Sequence, residues 1–123
     1  MTSSEVAIEH LATAMRLSPL DPLMHLAYSA TAFGHFLLGD LNEASIWSDR
    51  ALQMRPDWPP ALRVSAMSNA LAGRQHQAEP AMTRLRALQP TLRLSNLHEQ
   101  MLLHRPEHME KFVGAMRKAG LPE

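Results

Sequence analysis

Residues 39–56 read GDLNEASIWSDRALQMRP, and their outline returns 34 residues later: Gly39 falls on Gly73, Ala44 on Ala78 and Pro56 on Pro90. Between these fixed points both copies carry apolar residues at three- and four-residue spacing, the period of a helix with one buried face. A glycine just past a helix end takes the left-handed conformation that closes it, and a proline cannot continue a helix. Each copy therefore reads as helix, glycine turn, helix, proline stop. A hairpin of this length cannot bury its own apolar face, so the spacing predicts helical hairpins stacked over one shared core.

Working forward, the connection 57–60 (DWPP) leads into helices predicted over 60–72 and 75–88, turned by Gly73. Trp58 in that connection is expected to plug the gap between hairpins. Pro80 lies seven positions beyond Gly73, outside the first turn where proline is tolerated, so a local kink is expected there. After Pro90 the pattern ends. Leu92, Leu94, Leu97, Met101, Leu102 and Leu103 suggest a short, irregular helical segment. A last helix opens with Pro106 at its first position and stops at Lys118, Gly120 and Pro122. Its stripe of Met109, Phe112, Val113 and Met116 predicts a cap over the final hairpin.

Working backward, a long apolar helix is predicted from Pro22 to Leu38, capped by Asp21. Gly34 in its middle costs about 1 kcal/mol relative to alanine, which points to a close helix contact there. A first helix should run from an N-cap at Ser4 to Leu17, with Val6, Ala7, Leu11, Ala14 and Met15 as its inward stripe.

The chain has 123 residues, enough for one modest domain. It contains no cysteine, which excludes disulfides, thiol nucleophiles and thiolate-bound metals. No apolar run approaches the roughly 20 residues that cross a bilayer, and the opening MTSSEVAIEH has no secretory pattern, so a cytoplasmic protein or fragment is expected. The net charge is zero but uneven: residues 1–62 hold seven acidic and three basic side chains, residues 63–123 five and nine.

These features resemble the tetratricopeptide repeat, a 34-residue helical hairpin. Tyr28, Ala32, Gly39, Ala44, Ala51 and Pro56 match its pattern in one unit, and Leu62, Ala66, Gly73, Ala78 and Pro90 match in the next, with Leu85 in place of an alanine. Ala7, Leu11, Ala14 and Pro19 resemble a preceding half unit, spaced by 37 residues instead of 34. The resemblance implies an all-α fold of antiparallel hairpins in a short right-handed solenoid. It divides the chain into a half repeat 5–19, repeats 22–56 and 57–90, and a C-terminal capping segment 91–123. A weaker likeness, carried by residues 17–22, 57–63 and 117–122, is to the repeat-bearing C-terminal segment of bacterial class III adenylate cyclases and transcription-regulator-like proteins.

In that family the inner surface is lined by first helices and takes a peptide. Counting back from the hairpin glycines, the resemblance places Ser29, Phe33, Phe36, Arg63, Met67 and Ala70 in the groove. That set suits a short apolar peptide carrying an acidic group. The competing reading of Phe33 and Phe36 is plain core. The lysines, Lys111 and Lys118, lie beyond the repeats, and Asn69 lies off the groove, so the family's carboxylate clamp is not matched. A protein or peptide partner is thus expected, with self-association through the exposed half unit as the alternative.

Other chemistry is weakly signalled. His98, His104 and His108 carry no zinc signature, and Pro106 separates the last two. His35 has Asp40 and Glu43 near in sequence but no nucleophile to activate. Gly39 and Gly73 are isolated turn residues, unlike a phosphate loop. Arg84, Arg86 and Arg93 lack the longer basic stripe and aromatics of a nucleic-acid face. No enzyme activity, cofactor, metal, nucleic acid, membrane or small-molecule substrate is expected.

Overall fold

The computed structural model describes residues 2–17, 21–100 and 106–123, and among them every regular element is helical. The elements are α1 (Ser3–Leu17), α2 (Met24–Leu37), α3 (Leu41–Met54), α4 (Pro59–Leu71), α5 (Gln75–Leu88), a 3-10 turn (Leu94–Asn96), α6 (Leu97–Gln100) and α7 (Pro106–Lys118). Successive helices from α1 to α5 pack on one another, and α2 also touches α4. The steps from Leu41 to Gln75 and from Met54 to Leu88 are both 34 residues, so α3 and α5 recur at the interval read from the sequence.

The turns explain that regularity. Gly39 and Gly73 take φ of 80° and 81°, a left-handed conformation that a side chain resists. Past Gly39, the Asp40 amide donates to His35 O at 2.9 Å; past Gly73, the Arg74 amide donates to Asn69 O at 2.8 Å. These bonds satisfy carbonyls that a helix end leaves open. Asp40 then accepts from the Glu43 amide and starts α3. Each turn closes one helix and opens its neighbour.

Some expectations shift. Thr2, not Ser4, caps α1, accepting from the Glu5 amide at 3.1 Å. Asp21 accepts from the Leu23 amide in a turn that precedes α2, which therefore begins at Met24 and not at Pro22. The half-buried residues of α1 are Ser4, Glu5, Ile8, Leu11, Ala12 and Met15, leaving Val6, Ala7 and Ala14 outward. Gly34 explains that register: a Cβ there would stand 3.0 Å from Ile8 Cγ1, so the two helices meet closely at this point. α5 runs through Pro80, which is exposed. Proline has no amide hydrogen to bond the His76 carbonyl one turn back. Met101, Leu102, Leu103 and His104 lie outside the described residues.

The core joins α2 through α5 to the C-terminal segment, with Phe36, Leu62, Met67, Leu85, Leu97, Phe112 and Met116 buried in one cluster. α7 lies against the last hairpin, where Gln75 Nε2 of α5 donates to Lys118 O at 3.4 Å. It packs on α4 and reaches the end of α2, where Lys111 Nζ donates to Phe36 O at 3.0 Å and Leu37 O at 3.4 Å. A cation there meets the negative end of the α2 dipole. The chain end is tied down as well, since the Leu94 amide donates to Pro122 O at 2.8 Å and Leu121 is buried.

Candidate functional site

The faces of α2 and α4 that sequence spacing selects do converge, but α7 divides them. Phe36, Met67 and Ala70 are fully buried. The ring of Phe112 lies 5.3 Å from Phe33 and 6.0 Å from Phe36, filling the end of the groove nearest the glycine turns. Phe36, for which core is the competing reading, and Ala70 both lie in the core. Their apolar surface is satisfied by the chain's own α7, leaving nothing for a guest to touch.

The other end stays open. A cleft of about 300 Å³ is lined by Leu26, Ser29, Ala30 and Phe33 from α2 and by Pro60, Arg63, Val64 and Met67 from α4. Four of the six groove residues, Ser29, Phe33, Arg63 and Met67, meet in it. Ser29 and Met67 contribute a floor already in use: the Ser29 hydroxyl donates to His25 O at 2.9 Å and accepts from Trp58 Nε1 at 3.1 Å. Trp58 also meets His25 edge-on at 5.0 Å, so it fixes the start of α4 against α2, the plugging role expected of it. Leu26 is 44% exposed at the rim.

Arg63 is the charged group of this cleft. Burial lowers its guanidinium below the ordinary arginine value; the residue is half-buried, its nitrogens still meet water, and among the described residues it has no carboxylate partner. A cation at the edge of an apolar wall, with no anion of its own, can take a carboxylate from a ligand. Chemically the arrangement can hold an apolar side chain beside a carboxylate.

A buried polar junction that the sequence did not reveal holds α4 in place. Asn69 Oδ1 accepts from Ser45 Oγ at 3.1 Å and from Arg74 Nε at 2.8 Å, while its Nδ2 donates to Ser65 O at 2.9 Å. Arg74 Nη1 reaches Asn42 Oδ1 at 2.8 Å, completing a tie between α3, α4 and the second glycine turn. The available signal was the run of Ser65, Ser68 and Asn69 inside an otherwise apolar helix.

The remaining candidates disperse. His35 Nδ1 lies 3.5 Å from Asp40 Oδ2, but Asp40 is the cap of α3, which makes the pair part of a helix junction. His108 faces the Phe112 ring at 6.3 Å, and no cluster of three metal-ligating side chains occurs among the described residues. Arg84 is paired with Asp57, and Arg93 donates to Pro90 O and Leu92 O, so the basic cluster is partly spent within the chain. No described helix is long and apolar enough to cross a membrane. No protein-family model, curated protein or solved structure matches the chain.

Proposed function

We propose that the chain is a non-catalytic, tetratricopeptide-like scaffold that binds a peptide segment of another protein, or of a longer parent chain, in the cleft between α2 and α4. The observation that carries this reading is the cleft itself, in which half-buried Arg63, without a carboxylate partner among the described residues, stands beside Leu26, Phe33 and Val64. Leu26, Phe33 and Val64 accept an apolar side chain, and Arg63 accepts the carboxylate beside it. The 34-residue recurrence of α3, α5 and their glycine turns supports stacking of the hairpins as in that family. The right-handed solenoid, the cytoplasmic location and a place in a bacterial signalling protein rest on the resemblance.

Selection of seven-residue peptides from a displayed library on the full chain tests the reading. Enriched peptides should pair an apolar residue with an acidic side chain or a free C-terminus, and should be lost on Arg63→Met. Enriched peptides that bind that variant equally well would place the site elsewhere.

A second reading, self-association, is favoured by the N-terminal end of the stack. α1 has no buried residue, its last residue Leu17 is 79% exposed, and Leu23 just before α2 is 60% exposed. Sedimentation across a hundredfold concentration range should then show a dimer that Leu17→Glu disperses; a monomer throughout excludes it.

A further inference from the structure

Met24 and Tyr28 of α2 lie about half a turn around the helix from Leu26, Ala30 and Phe33, and they floor a second cleft of about 450 Å³. α1 supplies Met15 and Arg16 to it, and α3 supplies Trp47 and Arg50. The Tyr28 and Trp47 rings stand 5.7 Å apart at 41°, and the Arg50 guanidinium lies 4.5 Å over Trp47. Arg16 holds only the hydroxyl of Thr13, at 3.2 Å. No acidic side chain lines the cleft, and neither arginine has a carboxylate partner among the described residues.

Packing does not demand this set of residues. Thirty-four positions on, Leu62 stands for Tyr28 and Ala81 for Trp47, and both are buried. Arg84 stands for Arg50 and is paired with Asp57, whereas the counterpart of Asp57 beside Arg50 is Leu23. Leucine and alanine thus suffice to close a hairpin pair, and the first pair instead keeps two aromatic rings and an arginine without its acid.

We propose that this cleft binds a small planar aromatic molecule carrying a phosphate, with its ring against Tyr28 and Trp47 and its phosphate on Arg16 and Arg50. Aromatic faces stack on any flat ring, which supplies contact area without restricting the ring's identity. The planar guanidinium matches phosphate oxygens in pairs, and two of them balance a dianion. The volume lies within the range of small-molecule sites. The site is separate from the peptide cleft and does not depend on it.

Calorimetric titration of the full chain with adenosine 5′-monophosphate, phenyl phosphate, adenosine and inorganic phosphate tests the proposal. Both aryl-bearing phosphates should bind, the nucleotide about tenfold more tightly than adenosine or inorganic phosphate. Arg50→Gln and Arg16→Gln should each weaken the nucleotide about fivefold while leaving adenosine unchanged, because they remove the charge but keep the ring wall. Arg84→Gln, at the equivalent position, should have no effect. The side chains changed are exposed, and circular dichroism of each variant should show the helices unchanged. Absence of binding by both aryl phosphates, or a nucleotide affinity unmoved in Arg50→Gln, overturns the proposal.

Discussion

The ring of Phe112 on α7 stacks on Phe36 of α2 at 6.0 Å and 26° between planes, and this contact sets how much of the inner face remains open. α7 is no loose lid. Phe112, Ala115 and Met116 are buried with the core, and Lys111 bonds the last carbonyls of α2. Phe112→Ala should therefore cost about 3–5 kcal/mol, read as a fall in the urea midpoint. Lys111→Met, which loses only the bonds at the α2 end, should cost about 1 kcal/mol. Equal losses from the two changes would show that the ring is not the anchor.

Half-burial of Arg63 carries a modest desolvation cost in the free protein. Its folded-state pKa is lowered by burial, so the folded chain favours the neutral form more than the unfolded chain does. The penalty is present at all pH values below the folded pKa, and stability recovers only as pH rises through that alkaline value. Arg63→Met should accordingly raise stability by no more than about 1 kcal/mol near neutrality while abolishing peptide capture. Calorimetric melting together with binding separates the two effects. A variant that is both less stable and non-binding would mean that Arg63 is a structural group.

Asn69, 2% exposed, has its carboxamide fully used, and Asn69→Ala leaves the Ser45 hydroxyl and the Arg74 guanidinium without their shared acceptor. Its cost should be about 2–3 kcal/mol in denaturant titration, against about 1 kcal/mol for Ser45→Ala, which leaves the Arg74 bond standing. The double variant should lose less than the sum, since the two single changes break one bond in common.

Hairpin boundaries were legible because they rest on local chemistry: Gly39 and Gly73 need a positive φ, and Pro56 and Pro90 stop what precedes them. Tertiary choices were not. The apolar residues of α1 fit two inward faces, and only the contact of Ile8 with Gly34 selects between them. The stripe on α7 signals burial but does not say against which helix, so its seat on α4 and its reach to the end of α2 come only from the structure. Likewise, a groove counted from glycines includes Phe36 and Ala70 without knowing that Phe112 occupies their end. The Asn69 junction escaped because buried polar residues carry no period of their own.

Gly34 offers a test of the α1 packing. Its nearest neighbours across the interface are side-chain atoms of Ile8, half-buried on a helix that buries none of its residues, so Ile8 can yield by a few tenths of an ångström. Gly34→Ala should change stability by less than about 1 kcal/mol, the gain in helix propensity offsetting the displacement. Gly34→Leu should instead detach α1, with fast amide exchange over 3–17 and protection retained in α3 to α5.

The open cleft is most directly tested by methyl-labelled methionine spectra of the full chain as a selected peptide is added. Met67 lies in the cleft, whereas Met54 is exposed on the far end of α3. Binding should shift the Met67 methyl and give intermolecular cross-peaks to Leu26 and Phe33, all lost with Arg63→Met. A bound peptide that leaves Met67 unmoved and contacts another helix face would contradict the account.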